Sequence, residues 1–168
     1  MKKYKVGQKL MKGYSLIEIL LYMGLLSLFL FSLTNLFVSS LDVKLESEST
    51  SSVEQDSRYL LSRLRYDIFQ ATSISVPVNV GDQGASLQIT RDGTIYTYLL
   101  VDGNLVVSDG VNNDQLNSSR SQITSLSFQR LGNIGGKNTI TINYTLESRI
   151  IRPSGPETRS YQSTFAIR

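Results

Sequence analysis

The sequence predicts an α+β protein in which one long N-terminal helix packs on an antiparallel β-sheet domain. Three observations predict this fold class. Residues 19–41 contain no charged side chain, residues 53–71 repeat apolar side chains at intervals of three and four, and the chain beyond Thr72 alternates apolar and polar residues. Because the helical period comes first and the strand period follows, helix and sheet are expected to be segregated along the chain.

The first 13 residues form a lysine-rich segment ahead of the apolar run. They carry five lysines and no acidic residue. Removing these five from the 17 basic residues leaves 12 against 14 acidic ones, so the net charge of +3 becomes −2. We therefore expect the basic character to belong to a targeting leader, and nucleic acid is not expected as a partner.

The apolar run is long enough to cross a bilayer. Its 23 residues span about 35 Å at about 1.5 Å per residue, and the hydrocarbon core is about 30 Å thick. The lysines precede it, whereas Asp42, Glu46 and Glu48 follow it, and positive charge stays on the cytoplasmic side. We expect a single-pass protein of the cytoplasmic (inner) membrane with its N-terminus inside and its C-terminal domain outside.

A cleaved secretory signal peptide and an ordinary uncleaved anchor are the alternatives for this segment. A signal peptide has a shorter apolar region, of about 7–15 residues, followed by a small-residue cleavage site. Neither alternative accounts for Glu18, a carboxylate at the start of the apolar run, since an acid in hydrocarbon is costly.

Residues 42–72 predict an amphipathic continuation of the same helix, ending near Thr72. Residues 46–56 are poor helix formers, so the helix is expected to be either continuous or kinked there. The side chains expected on the core-facing side are Val53, Ser57, Leu60, Leu64, Ile68 and Ala71, with Leu61 and Phe69 widening the apolar face.

The period of two beyond Thr72 predicts half-buried strands whose apolar face packs on the helix. In residues 139–146 the apolar side chains of Ile140, Ile142, Tyr144 and Leu146 share one face. Residues 94–101 place Ile95, Thr97, Leu99 and Val101 on one face, and Asp92-Gly93 joins them to residues 86–91 as a two-residue hairpin. The other predicted strands are residues 105–108, 125–131 and 161–167.

The segment Lys12-Gly13-Tyr14-Ser15-Leu16-Ile17-Glu18, between the lysine-rich leader and the apolar run, resembles the processing site of type IV prepilins and type II secretion pseudopilins. In that family a membrane aspartic peptidase cuts after the glycine and commonly methylates the new N-terminus. The resemblance implies cleavage between Gly13 and Tyr14, N-methylation of Tyr14 and an assembly role for Glu18, the fifth residue of the mature chain.

Two departures from the family pattern are visible. Tyr14 replaces the commoner phenylalanine, and the proline often found within the family's apolar segment is missing, which predicts a straighter helix and argues against the major-pilin type. Residues 125–133, 139–148 and 159–168 resemble, in strand order and spacing, the J-type minor pseudopilins and the W-type minor pilins. The fold expected from the resemblance is pilin-like.

The assembly role implied for Glu18 has a physical basis in pairing with an α-amino group. Cleavage creates an α-amino group on Tyr14, with a reference pKa of about 7.7–8.0. Residues four apart share a helix face, so Tyr14 and Glu18 are expected to point the same way. A lone acid at a bilayer centre costs about 2.5–3.5 kcal/mol, and pairing with an amine would remove part of that cost and select one axial register. The family implies the amine of the neighbouring subunit.

The resemblance also implies a domain organisation and a set of partners. Residues 1–13 would be a cleaved leader, 14–41 a transmembrane and filament-core helix, 42–72 its amphipathic continuation and 73–168 an extracytoplasmic β domain. The partners would be the prepilin peptidase, other pilin or pseudopilin subunits, an inner-membrane assembly platform and membrane lipid. A pilus, a type II secretion system and a competence system all remain open as the machine.

Two surface features are candidates for binding sites. Asp109, Asn112 and Asp114 offer oxygen ligands for calcium, but their spacing does not match an EF-hand, and a solvated turn is the alternative. No other cofactor or metal is expected. The second feature is a cationic and aromatic strip on the helix, for which solvated i,i+4 ion pairs of Glu54 with Arg58 and of Arg63 with Asp67 are the alternative to DNA binding. The strip consists of Arg58, Tyr59, Arg63, Arg65 and Tyr66.

The composition excludes several catalytic classes. The chain has no cysteine and no histidine, which excludes thiol nucleophiles, disulfides and histidine-based triads. The lysines after the leader, Lys44 and Lys137, lie in no recognisable motif, so enzymatic activity is not expected. The resemblance implies a structural minor pilin or pseudopilin subunit. The alternative is a membrane-anchored extracytoplasmic binding module without filament assembly.

Overall fold

The computed structural model describes residues 14–132 and 136–168. These divide into two compact units, Met1–Leu41 and Asp42–Arg168. The helix α1 spans Leu16–Gln70. The strands are β1 (Ser73–Val76), β2 (Gln83–Gly84), β3 (Leu87–Arg91), β4 (Thr94–Val101), β5 (Asn104–Ser108), β6 (Asn113–Gln115), β7 (Ser121–Leu131), β8 (Thr139–Ser148) and β9 (Thr158–Ala166).

The predicted α+β class is confirmed, with a long N-terminal helix packed against antiparallel sheet. The strands form two sheets, in the orders β1-β3-β4-β5-β6 and β2-β7-β8-β9. Every strand pair is antiparallel. The helix therefore contributes one core-facing side to two separate sheets.

In the first unit, the helix is apolar around its whole circumference. The large apolar side chains from Leu16 to Leu41 are between 44% and 78% exposed. Within the described residues, α1 is the one helix long and apolar enough to cross a membrane. The hydroxyls of Ser27 and Thr34 donate to carbonyls four residues back, both at 2.8 Å. Because these hydroxyls are satisfied within the helix, they can enter an apolar environment at low cost.

In the second unit, the helix has the predicted core-facing side. Val53, Leu60, Leu64 and Ile68 are all at most 1% exposed, and the helix runs through residues 46–56 without interruption. Leu61 widens the apolar face as predicted and packs against the core, whereas Phe69 is half exposed and takes no part in the core.

The predicted buried face is confirmed for β8 and is wrong for β4. In β8 the predicted side chains are buried, and all four are at most 2% exposed. In β4 the buried face is instead the one with Tyr98, which is fully buried, while Ile95 and Val101 are 51% and 41% exposed. Tyr96 and Leu100 pack beside Tyr98 against the core, and the Tyr98 hydroxyl reaches Asp67 on the helix.

Turn chemistry places the strands of the first sheet. Asp92 and Gly93 adopt φ of 51° and 79° between β3 and β4, and Asp102 and Gly103 adopt φ of 49° and 75° between β4 and β5. Positive φ at both central residues is the type I′ pattern, which matches the twist of a hairpin. The predicted Asp92-Gly93 hairpin is confirmed. The short strands β1, β2 and β6 were not predicted: β1 alternates polar and apolar residues over only four positions, and β2 and β6 contain no large apolar side chain.

Candidate functional site

The structure describes the predicted processing region from Tyr14 onward, and Gly13 lies outside the described residues. The helix begins at Leu16, where the Ser15 carbonyl accepts the N–H groups of Glu18 at 3.0 Å and Ile19 at 3.2 Å. Tyr14 lies before the helix and is 74% exposed. The expected sharing of a helix face by Tyr14 and Glu18 is therefore not met in this chain.

Glu18 has a hydrogen-bond donor one turn along the helix. The Tyr22 hydroxyl donates to Glu18 Oε1 at 3.3 Å, and Oε2 has no donor among the described residues. The i,i+4 spacing of Glu18 and Tyr22 was the signal that could have predicted this contact. One neutral donor leaves most of the acceptor capacity of the carboxylate open.

Asp67 is a buried carboxylate that connects the helix to the five-stranded sheet. Its side chain is 1% exposed. Oδ2 accepts from Arg63 Nε at 2.7 Å and from the Tyr98 hydroxyl at 2.6 Å, and Oδ1 accepts from Arg91. The Arg91 guanidinium also lies 4.4 Å from the ring centroid of Tyr96, which adds a cation–π contact. Two cations and one hydroxyl thus satisfy a carboxylate that sequence reasoning placed on a solvated face.

A second carboxylate, Asp56, connects the helix to the four-stranded sheet. Asp56 is 9% exposed. Its Oδ2 accepts from the Ser118 N–H at 3.0 Å, the Ser118 hydroxyl at 2.7 Å and the Ser121 hydroxyl at 2.5 Å. The next helix residue, Ser57, lies 3.0 Å from the Tyr144 hydroxyl on β8. Asp56 therefore ties the start of β7 to the helix through neutral donors alone.

The two carboxylates lie on the same side of the helix. Eleven residues correspond to about three turns and about 16 Å along the axis. Their positions continue the three- and four-residue spacing of Val53, Leu60 and Leu64, and that continuation was the available signal that both acids face the core. Because acidic side chains are usually exposed to solvent, the sequence analysis did not assign these acids to the core-facing side.

Of the three calcium candidates, Asp109 and Asn112 contact each other, with Asn112 Nδ2 donating to Asp109 Oδ2 at 3.3 Å, and no hydrogen bond joins Asp114 to either within the described residues. Asp109 lies in the turn between β5 and β6, and its Oδ1 accepts the N–H groups of Val111 at 2.9 Å and Asn112 at 2.6 Å. These backbone hydrogen bonds, the one from Asn112 first, hold the pKa of Asp109 below its usual value. Asp114 lies in β6, paired with Val107. No group of three metal-ligating acids, cysteines or histidines is found in the part of the chain that the structure describes. Calcium binding stays a prediction.

The predicted cationic strip is largely occupied by ion pairs. Arg58 lies 3.6 Å from Glu54 on a solvated surface, as the i,i+4 alternative predicted, whereas Arg63 is held by the buried Asp67. Tyr59 and Tyr66 are 50% and 58% exposed. Arg65 takes part in no ion pair among residues 14–132 and 136–168.

Comparison of the chain with protein-family models, with curated proteins and with solved structures finds no match.

The buried tyrosines generate a prediction for alkaline pH. Burial raises the pKa of Tyr144 to about 12, and burial together with the hydrogen bond to Asp67 raises the pKa of Tyr98. In the unfolded chain a tyrosine titrates near pH 10. Between about pH 10 and pH 12 the folded state therefore binds more protons, so the free energy of unfolding falls as pH rises, by up to about 1.4 kcal/mol per pH unit for each tyrosine.

Denaturant unfolding of the Tyr144→Phe variant at several pH values checks this. The variant should be less stable at neutral pH, because Ser57 loses its partner, yet its stability should fall less steeply above pH 10. Tyr59→Phe, at a half-exposed position, is the matched control and should keep the wild-type slope. Equal slopes for the two variants would contradict the assignment.

Proposed function

We propose that this chain is a minor pilin or pseudopilin subunit that is processed by a prepilin peptidase and assembled into a pilus or pseudopilus. The observation that carries the proposal is Glu18, an acid with one neutral donor at the start of an apolar helix surface. It lies four residues after Tyr14, in the segment that resembles a prepilin processing site. The incompletely bonded acid and the processing-site resemblance have one explanation if assembly supplies the Glu18 carboxylate with a second hydrogen-bond donor.

The exposed apolar surface supports assembly. Nothing within the described residues covers the side chains from Leu16 to Leu41, and a helix that is apolar all round requires apolar surroundings. A bilayer supplies them first. The same surface can afterwards pack on the apolar helices of other subunits, where dispersion contacts and excluded water replace lipid contacts.

The local structure supports processing. Tyr14 and Ser15, on the described side of the proposed cleavage point, precede the first helical residue and lie outside hydrogen-bonded helix. A protease needs its substrate in extended form, and unwinding a helix would add to the barrier. A glycine at the cut presents no side chain to a narrow site.

The charge of Glu18 supports a role in setting the axial alignment of neighbouring subunits rather than in stabilising the filament. Buried ion pairs are often near break-even in free energy, because desolvation opposes the Coulomb attraction. Their best-attested use is to select one alignment among many apolar alternatives. An amine created on Tyr14 of a neighbouring subunit would supply the missing donor, and only one axial offset would bring it to Glu18.

Cleavage is the first test of the proposal. Co-expression with a prepilin peptidase should lower the intact mass of the chain by its first 13 residues, with an added methyl group on Tyr14, as measured by mass spectrometry. Gly13→Leu should block the change. Gly24→Leu is the matched control, since an added side chain at Gly24 meets open space, and it should still be cleaved. Retention of residues 1–13 in the unsubstituted chain would favour the membrane-anchored binding module.

Assembly is the second test. Glu18→Ala should insert into the membrane and be cleaved, but it should be depleted at least about ten-fold from filaments sheared from cells that express the assembly machine, the factor expected for about 1.4 kcal/mol of lost alignment energy. Glu48→Ala, an exposed acid farther along the same helix, is the matched control and should enter filaments normally. Equal recovery of both variants would contradict the register role of Glu18.

A further inference from the structure

The two sheets have four edge strands, and β9 differs from the other three. β1 has four residues and a bulge, β2 has two residues and β6 has three. β9 has nine residues, contains no proline and pairs with β8 residue for residue without a bulge. Edge strands are usually blunted by short length, bulges, proline or free charge. The charge in β9, Arg159, is already bound to Glu54 and Glu157.

The hydrogen bonds to β8 show which backbone groups of β9 point away from the sheet. Ile167 N–H donates to the Asn138 carbonyl at 3.1 Å, and Ser148 N–H donates to the Glu157 carbonyl at 2.8 Å. Since antiparallel bonding alternates along a strand, the odd-numbered residues between them face β8. The residues whose N–H and C=O groups point outward are Thr158, Ser160, Gln162, Thr164 and Ala166.

A groove of about 620 Å³ lies along the C-terminal half of this edge, on the side of the helix. Phe165 and Ile167 form its sheet wall, and Arg65 and Phe69 form its helix wall. Phe69 is half exposed, although it was expected to be part of the core. A strand added to β9 would direct every second side chain into this groove, because side chains alternate between the two faces of a sheet.

The groove is cationic as well as apolar. Arg65, Lys137 and Arg168 line it, and no acidic side chain does. None of the three cations takes part in an ion pair within the described part of the chain. Acidic side chains entering the groove would therefore meet complementary charge, which favours an acidic occupant over a neutral or basic one.

We propose that the edge of β9, which pairs with no second strand among the described residues, is a docking site for an extended segment of a partner protein. The main chain of that segment adds to the four-stranded sheet, and its groove-facing side chains are acidic and apolar. Backbone hydrogen bonds give such strand addition its affinity, and the pockets for alternate side chains give it specificity. Residues of the Asp42–Arg168 unit make up the whole site.

A second copy of the chain fits the site less well. Antiparallel pairing of two β9 edges about Gln162 preserves the outward hydrogen-bonding residues on both strands. However, it places Arg159 of one copy opposite Phe165 of the other. Since Arg159 is paired with Glu157 and Glu54, its cation offsets the acids that accompany it. A second copy therefore brings less acidic charge to the groove than an acidic peptide does.

Nucleic acid also fits less well than a peptide. The outward groups of β9 repeat every two residues, about 6.6–6.8 Å apart, with donors and acceptors in pairs. A polypeptide strand presents the same spacing and the same paired groups. A phosphate backbone presents acceptors alone, so it would leave the five outward carbonyls without donors.

The experiment uses the full chain in lipid nanodiscs and two labelled synthetic peptides. Each peptide has nine residues with threonine at every second position. The first carries glutamate and leucine at the remaining positions, and the second carries lysine in place of glutamate. Fluorescence polarisation gives the affinities, and a version of the glutamate peptide methylated on alternate amide nitrogens shows whether main-chain hydrogen bonds contribute.

Paired variants separate the backbone edge from the charge. Thr164→Pro removes an outward N–H without removing a main-chain hydrogen bond to β8. It also removes the hydroxyl that lies 2.8 Å from Thr141 Oγ1 on β8. Thr164→Ala loses the same hydroxyl but keeps the N–H, so it is the matched control. Arg65→Glu reverses a charge in the groove. Arg58→Glu reverses one on the same helix outside the groove, where the side chain is 83% exposed. Thr164→Pro should lower the affinity for the glutamate peptide about ten-fold, which corresponds to roughly one lost hydrogen bond. Arg65→Glu should lower the same affinity about five-fold. The controls Thr164→Ala and Arg58→Glu should leave it unchanged.

The outcomes decide the proposal. Preferential binding of the glutamate peptide, lost on amide methylation and weakened as stated by the two test variants, supports it. Equal binding of both peptides, or of neither, overturns it. The proposal is also overturned if single-stranded DNA competes with the glutamate peptide and Thr164→Pro has no effect on that binding. It is likewise overturned if the chain self-associates and Thr164→Pro abolishes the self-association. Because Glu18 and the leader take no part, failure here leaves the cleavage and assembly tests intact.

Discussion

The fold of the second unit depends on two buried carboxylates that attach one helix to two sheets. Asp67 holds Arg91 and Tyr98 of the five-stranded sheet, and Asp56 holds the start of the four-stranded sheet through Ser118 and Ser121. Apolar contacts supply most of the stabilisation, but they tolerate sliding. A buried carboxylate left without its donors costs several kcal/mol, so these contacts select one position of each sheet along the helix.

The same helix meets a different constraint in each unit. Beyond Asp42 its two buried carboxylates, Asp56 and Asp67, accept hydrogen bonds from the β domain, and its core-facing apolar side chains are covered by the domain core. Before Leu41 the apolar side chains remain exposed and the single acid, Glu18, keeps an unused oxygen. From Tyr14 to Leu41, the first unit thus leaves both its apolar surface and one carboxylate oxygen without partners. This is the physical basis for proposing that lipid and then other subunits complete it.

Patterns that depend on local chemistry predicted most of the fold. The helical period, the alternation in β8 and the Asp92-Gly93 turn are short-range signals, and all three were confirmed. What failed depended on tertiary contacts. The buried face of β4 is decided by Tyr98 reaching Asp67, and neither residue signals its distant partner. Pattern reasoning also missed Tyr22 beside Glu18 and the open edge of β9, since an edge exists only once the strand order is known.

Thiol accessibility tests the central claim, that one helix serves an apolar environment in its first half and an extracytoplasmic domain in its second. The chain contains no cysteine, so any maleimide labelling of a single-cysteine variant comes from the introduced thiol. In intact cells, Ile151→Cys, at a side chain that is 89% exposed, should react with a membrane-impermeant maleimide. Leu28→Cys, in the middle of the apolar segment, should stay unreacted until detergent is added. Equal labelling of both positions, or labelling of residue 151 only after the cells are permeabilised, would contradict the account.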